Sequence, residues 1–292
     1  MNKIKPAIWG GAYPSRIVAP EEAIKRIARI GWRYLELHPD YVQKIDPYKL
    51  RKLCEDLGIS TPQMHGYEHG MALNSHRESK EHMKRAKRLI TWAGAAGVKW
   101  VVIHPDNPKG TTLCIGMKPN QIEEVKKRNL EGFRELSETA RTAGVGIALE
   151  NLPDHIFYRV WHERWRLFGS RFSELIWLVE NVDPNLMGIC LDTNHICHRI
   201  DNINQYEAIK LCGQYLVATH ISDNHGLTEQ HLLPFEGNID WKAVMDGLNE
   251  VGYNGLFCIE AGGSIGQVPL SVRDELLRYT LKLVEEMIEG RI

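Results

Sequence analysis

The stretch MGICLDTNH, residues 187–195, shows most clearly the pattern from which the fold of this chain is predicted. It opens with a short apolar run, typical of a buried strand, and the run ends in a carboxylate that can bind a metal or move a proton. Six other runs end in a similar residue: GWRYLELH at His38, STPQMH at His65, VKWVVIH at His104, VGIALE at Glu150, YLVATH at His220 and YNGLFCIE at Glu260. A barrel of parallel strands gathers such ends into one ring at its mouth, where these barrels carry their chemistry.

Helix-like segments alternate with these strands, as units of a parallel sheet require. Apolar spacings of three and four residues predict helices at 20–30, 46–57, 75–96, 119–143, 170–180, 204–212, 239–250 and 268–289. With a first strand near Ile8, this gives eight strands and eight helices. No linker or shift in composition divides the chain. The sequence therefore predicts the α/β class, as a single (β/α)8 TIM barrel over residues 1–292.

The composition narrows the choice of partners and compartment. Apolar residues make up 43% of the chain and charged residues 25%, which is ordinary for a globular protein. A net charge of −1 provides no overall attraction to nucleic acid or to an anionic membrane, so neither is expected as a partner. Because no apolar run reaches the ~20 residues that span a bilayer and no leader is evident, we expect a cytoplasmic location.

The six cysteines form no CxxC pair, which argues against a disulfide framework or a thiolate zinc site. Any metal would therefore be held by histidines and carboxylates. Small residues lie two positions before four of the strand ends: Ala148, Cys190, Ala218 and Cys258. Since side chains two apart share a face of a strand, this predicts an inward layer of small side chains beneath the site. Cys190 and Cys258 are interpreted as small buried residues rather than catalytic thiols.

Four short motifs resemble the sugar phosphate isomerase/epimerase family. They are LDTNH at 191–195, HISDN at 220–224, the run from His231 through Gly237 to IDW at 239–241, and the VGY-to-IE segment ending at Glu260. This family belongs to the xylose isomerase-like barrels, which also include abasic-site enzymes of the endonuclease IV type. The resemblance covers nearly the whole chain, and its motifs indicate fold and metal site better than substrate.

The resemblance implies one divalent ion held by Glu150, Asp192, His220 and Glu260. Such an oxygen-rich set suits Mn²⁺, Mg²⁺ or Co²⁺, with Zn²⁺ as a further candidate. The endonuclease pattern includes two more histidines, which match His65 and His104 here. It also includes an Asp-x-His motif, and the corresponding residues of this chain are Glu229-Gln230-His231. That replacement, together with SDN after His220 where the endonucleases have DSK, argues against a site of three zinc ions.

A sugar isomerase or epimerase uses such an ion to polarise a carbonyl and stabilise the enediolate left by removal of the neighbouring proton. By analogy with the family, Glu150 and Glu260 are the acid/base pair and also metal ligands. Residues expected to contact a sugar or keto-polyol substrate are Glu36, His65, His104, His195 and His231. For Glu36, a structural ion pair is the alternative.

Three other functions stay open at this point. The same proton removal followed by loss of a hydroxyl would make the protein a dehydratase of a keto-inositol or keto-sugar. An abasic-site endonuclease with several zinc ions and a non-catalytic sugar-binding barrel are the others. The segment 151–170, rich in aromatic residues and arginines, is expected to form a lid over the mouth or a contact in a homo-oligomer.

Overall fold

The protein is described by a computed structural model that covers residues 4–72, 76–108, 117–153, 166–196, 203–226 and 228–292. Eight strands close into a barrel in chain order, and every neighbouring pair is parallel. The strands are β1 Lys5–Trp9, β2 Tyr34–Leu37, β3 Ser60–His65, β4 Trp100–Ile103, β5 Gly146–Glu150, β6 Met187–Asp192, β7 Leu216–Ile221 and β8 Leu256–Ile259. The predicted fold, a (β/α)8 TIM barrel, is confirmed.

Nine α-helices lie in the described ranges: α1 Pro20–Ile30, α2 Pro47–Leu57, α3 His76–Ala95, α4 Pro119–Ala143, α5 Phe172–Val182, α6 Gln205–Cys212, α7 Trp241–Glu250, α8 Gly262–Gln267 and α9 Arg273–Ile288. Helices α1 and α4 have the predicted bounds, because a proline begins each and a glycine follows each. The single helix predicted at 268–289 is wrong in extent, since two helices flank a break that contains Pro269. Among the described helices, none has the length and apolarity to cross a membrane.

The inside of the barrel contains the predicted layer of small side chains. Ala148, Cys190 and Ala218 are fully buried and pack together with Val102. On the other side of the barrel Cys258 packs with Ala7 and Leu256. The larger apolar side chains form the main core, which includes residues of the strands and of the surrounding helices. The small layer leaves space inside the barrel directly below the strand ends.

Candidate metal centre

Six of the seven strand-end residues come together at the mouth: His65, His104, Glu150, Asp192, His220 and Glu260. Parallel strands in register produce this convergence, since Asp192 of β6 lies beside His220 of β7. His38, the seventh strand-end residue, has a different role. Its Nδ1 accepts a hydrogen bond of 3.2 Å from the backbone N–H of Asp40 and caps the 3₁₀ helix Pro39–Gln43.

Glu150, Asp192, His220 and Glu260 form what we call the central cluster. One donor atom from each lies within 4.8 Å of the other three. His220 Nδ1 is 2.9 Å from Glu150 Oε1 and 3.0 Å from Glu260 Oε2. Glu150, Asp192 and His220 are almost completely buried, whereas the side chain of Glu260 is 12% exposed. Glu260 is therefore the member of the cluster that most clearly faces the open mouth.

Asp192 carries the most direct sign that this cluster suits a cation. Its Oδ1 accepts hydrogen bonds from the backbone N–H groups of Asn194, at 2.6 Å, and His195, at 3.3 Å. Its Oδ2 is buried and has no hydrogen-bond partner among the described residues. A buried carboxylate oxygen without a partner is costly unless a cation binds it. Three carboxylates and one imidazole also match the donors that hard divalent ions prefer.

Groups of opposite charge lie close together in the central cluster, and each shifts the pKa of the others. Burial disfavours ionisation of Glu150, but the positive charges of His220 and His104 outweigh it and hold the pKa of Glu150 well below its ordinary value. Glu260 behaves similarly, because His220 overcomes the effect of burial and lowers its pKa to about 2. Burial alone would lower the pKa of His220, yet the surrounding carboxylates raise it well above its ordinary value. A proton on His220 thus neutralises carboxylates that a divalent cation could also neutralise.

His65 and His104 approach the second oxygen of Glu150. Their Nε2 atoms lie 3.6 Å and 3.1 Å from Glu150 Oε2. The ring of His65 also stacks on the ring of His220, with centroids 5.5 Å apart. His104 Nδ1 lies 3.5 Å from Glu68 Oε1, so His104 stands between two carboxylates. These contacts make both histidines part of the wall around the central cluster.

His195 and His231 lie near Asp192, and both contact Glu229. His195 Nδ1 donates to the backbone carbonyl of Asn151 at 2.6 Å, and its Nε2 is 3.5 Å from both Asp192 Oδ2 and Glu229 Oε1. His231 Nε2 is 2.9 Å from Glu229 Oε1. Asp192, His195 and His231 form a second group whose donor atoms lie close enough to hold an ion. His231 adopts a positive φ of 49°, which is uncommon for a residue with a β-carbon and is typical of functional loops.

Glu36 lies beneath the central cluster rather than at the open mouth. Its side chain is fully buried, and its Oε1 is 2.9 Å from His220 Nε2. The same oxygen accepts a hydrogen bond of 3.0 Å from Gln63 Nε2. This position favours the ion-pair interpretation of Glu36 over direct contact with a substrate.

The sequence did not single out three residues that the structure brings to the site, Gln63, Glu68 and Asn194, and it noted a fourth, Glu229, only as the replacement for aspartate in a motif. Asn194 is fully buried, and its side-chain oxygen accepts the backbone N–H groups of Gln230 at 3.0 Å and His231 at 3.1 Å, which joins the two loops after β6 and β7. Gln63 could have been found from its place two residues before His65. Glu68 and Glu229 lie in loops, where periodicity gives no signal.

Most of the segment expected to form a lid or a subunit contact, 151–170, lies outside the described residues, since 154–165 are not among them. The described part begins with Asn151, whose side chain accepts from Asp192 N at 2.8 Å and donates to Asp192 O at 3.1 Å. This pair ties the end of β5 to the end of β6 at the site. The lid and the homo-oligomer stay predictions.

The sequence and the fold of this chain are similar to those of known proteins. Residues 24–281 match the family described as the xylose isomerase-like TIM barrel. The chain belongs to this family. Among solved structures, a D-tagatose 3-epimerase-like protein superimposes with a TM-score of 0.74 at 22% identity, over 98% of this chain and 100% of that one. The 3-keto-D-glucoside 4-epimerase from E. coli gives 0.76 at 18% identity, over 96% and 100%. At these identities the two structures establish the shared fold alone.

Curated relatives match by sequence over part of their length. An uncharacterised protein of Methanocaldococcus jannaschii is 28% identical over 64% of this chain and 58% of its own length. D-psicose 3-epimerase of Ruminiclostridium cellulolyticum is 28% identical over 48% and 44%. Inosose isomerase of Bacillus subtilis is 26% identical over 65% and 66%. The chain thus spans about half to two thirds of the length of these relatives.

Proposed function

We propose that this chain is a divalent-metal-dependent isomerase or epimerase that acts on a sugar or keto-polyol through an enediolate intermediate. The convergence of Glu150, Asp192, His220 and Glu260 within 4.8 Å carries the proposal. Relatives that are named as a D-psicose 3-epimerase and an inosose isomerase support the substrate class and the type of reaction.

The central cluster would hold one principal ion, and its donors suit Mn²⁺, Mg²⁺ or Co²⁺, with Zn²⁺ as a further candidate. When bound, the ion would polarise the carbonyl of the substrate and stabilise the negative charge that proton removal leaves behind. Support for a cation comes from the buried Asp192 Oδ2, which has no hydrogen-bond partner among the described residues. The absence of thiolates from this set argues against an ion chosen by sulfur ligands.

Glu150 and Glu260 move the proton in this proposal. Opposing histidine charge keeps both carboxylates ionised near neutral pH, so either can accept a proton from the carbon next to the carbonyl. Epimerisation requires that the other carboxylate return a proton to the opposite face. The nearby imidazoles of His65, His104, His195 and His231 are proposed to bind the hydroxyls of the substrate. Their ring nitrogens can donate or accept hydrogen bonds according to their protonation.

Deuterium exchange tests the proposed chemistry. Ketoses and keto-inositols are incubated with the purified protein and Mn²⁺ in deuterated water, and the products are separated by chromatography. We expect a product with solvent deuterium at the reacting carbon. Loss of water from that product would identify the dehydratase variant of the same proton removal. A product that carries no deuterium at this carbon would contradict proton exchange through the carboxylates.

A second candidate function is hydrolysis of abasic DNA by several zinc ions. The observation in its favour is that two further groups of three residues could hold an ion: His65, Glu150 and His220, and Asp192, His195 and His231. The net charge of −1 and the replacement of aspartate by Glu229 favour the sugar enzyme instead. Elemental analysis that finds three zinc ions per chain, with a DNA affinity that falls steeply with salt, would reverse this order.

A further inference from the structure

Glu36 and Gln63 occupy the inside of the barrel at the level of the small layer. Glu36 stands two positions before the end of its strand run at His38, and Gln63 two before His65, as Ala148 stands two before Glu150. Both are long polar side chains at a level where β5 to β8 contribute only small ones. The space left by the small residues therefore accommodates Glu36 and Gln63, which reach across the barrel axis.

The contacts of these two residues confirm that they cross the interior. Gln63 of β3 donates to the backbone carbonyl of Thr219 on β7 at 3.4 Å. It also donates to Glu36 Oε1 at 3.0 Å. The thiol of Cys258 on β8 lies 3.8 Å from Glu36 Oε2. A buried amide that is held at the far wall thus fixes the orientation of the Glu36 carboxylate.

The carboxylate so fixed points at one nitrogen of His220. Glu36 Oε1 is 2.9 Å from Nε2, while Nδ1 of the same ring faces Glu150 and Glu260. Glu36 Oε1 also accepts from the amide of Gln63, so it is an acceptor oxygen, and its short contact with Nε2 favours the tautomer of His220 that carries a proton on Nε2. A histidine protonated at Nε2 has its remaining lone pair on Nδ1, the nitrogen that faces the central cluster.

We infer that Glu36 is a positioning residue that fixes the tautomer and the orientation of His220, so that Nδ1 faces the central cluster and would be available to bind a metal ion there. The inference rests on the proposed function, because it assigns a role toward the ion of that same site. Outer partners of this kind raise the basicity of the ligand and fix its ring, and their loss typically costs 10- to 100-fold in metal affinity. Glu36 thereby acts through His220, which its carboxylate contacts directly.

Two substitutions test the charge of the Glu36 side chain and its length separately. Glu36→Gln keeps the size of the side chain and one acceptor oxygen but removes the charge. Glu36→Asp keeps the charge but withdraws it from His220 by one methylene. Glu174→Gln is the matched control, since Glu174 is also a buried glutamate, but it pairs with Arg166, at 2.6 Å, outside the central cluster. Thermal unfolding monitors the fold of each variant.

Calorimetric titration of the metal-stripped proteins with Mn²⁺ gives the affinities, without any need for a known substrate. We expect the affinity to fall about 10- to 100-fold in both Glu36 variants and to stay unchanged in the control. Proton NMR of the Zn²⁺-loaded protein should show a downfield Nε2–H resonance of His220 that shifts in Glu36→Gln. Should both variants bind Mn²⁺ as the wild type does, Glu36 has no positioning role. Should the wild type bind no Mn²⁺, the proposed function fails instead.

Discussion

Two fully buried histidines of this barrel, His69 and His220, have opposite surroundings. His69 lies in the loop after β3, and its Nδ1 accepts the backbone N–H of Met71 at 3.0 Å. Its Nε2 donates to the side-chain oxygen of Asn129 at 3.2 Å. Both ring nitrogens have neutral hydrogen-bond partners, one carboxylate, that of Asp106, lies 3.7 Å from Nδ1, and burial lowers the pKa of His69 to about 4. This histidine is neutral and serves the structure of the loop.

His220 is buried just as deeply but is surrounded by negative charge. Carboxylate oxygens of Glu36, Glu150 and Glu260 all lie within 3.0 Å of its ring nitrogens. These carboxylates overcome the effect of burial and raise its pKa. Burial alone therefore does not separate these two histidines. The excess of buried negative charge around His220 does separate them, and it marks the place where a cation is proposed to bind.

The largest effect is expected from removing one of the two carboxylates beside His220 that are proposed as the acid/base pair. Glu150→Gln or Glu260→Gln should lower turnover by about 10²- to 10⁴-fold, the usual contribution of a general acid or base. Loss of the metal would lower it further. The measurement is turnover of each variant once a substrate has been found, with the metal content determined in parallel. Either variant at wild-type turnover with its metal retained would remove that carboxylate from the mechanism.

Next in size is the pH dependence of stability that His69 imposes. Its pKa is about 4 in the folded protein and near 6.5 when unfolded, so the unfolded chain binds the proton more tightly. The stability due to neutral His69 is therefore complete above about pH 7 and is lost as the pH falls toward 4. From the size of the shift we expect a loss of about 3 kcal/mol over this range.

His69→Asn isolates this effect, because asparagine keeps an acceptor for Met71 but does not titrate. Urea unfolding of the wild type and the variant is compared at several pH values between 7 and 4. Asp106 faces His69 at 3.7 Å, and burial raises the pKa of Asp106 to about 6, which stabilises the fold as the pH falls. That contribution is common to both proteins and cancels to first order. Parallel pH curves for the two proteins would show that His69 is not held neutral.

The smallest effect is expected at Gly132, on the helix α4 that packs against His69. A β-carbon at this position would lie 2.5 Å from His69 Nδ1, closer than real atoms approach. Gly132→Ala should therefore destabilise the fold by about 1 to 3 kcal/mol, the usual cost of overpacking. Thermal unfolding measures this, and in a His69→Ala background the same change should cost less. Mn²⁺ affinity should be unchanged, since the contact lies outside the central cluster.

The sequence predicted the strands and the polar residues that meet at their ends, because the apolar periodicity and the position of each polar residue both carry a signal. Proline and glycine fixed the bounds of α1 and α4, and the repeated polar strand end indicated the barrel mouth. The sequence-based prediction was wrong for the region after β8. There the helical pattern of apolar residues continues across Pro269, but the helix itself is interrupted. The sequence also gave no warning that His38, with the same strand-end position as the others, caps a 3₁₀ helix.

The sequence also did not show how deep inside the barrel the side chain of Glu36 lies. Alternation indicates that Glu36 points inward, but not whether it reaches the open mouth or the closed interior. The signal was present in the small layer, since Glu36 occupies the same level as Ala148 and Cys190 and has room only because they are small. The sequence resemblance identified Glu229 only as a replacement for aspartate, because its contacts with His195 and His231 are tertiary and no local pattern encodes them.

The proposed function depends above all on metal binding to the central cluster. The wild type and the Glu150→Gln/Glu260→Gln double variant are stripped of metal, loaded under matched conditions with Mn²⁺ and subjected to elemental analysis, with His69→Asn as the control for a buried histidine outside the cluster. We predict one principal ion per chain in the wild type and in the control, and a marked loss in the double variant. Unchanged stoichiometry and affinity in the double variant would contradict the assignment of these residues as the metal site.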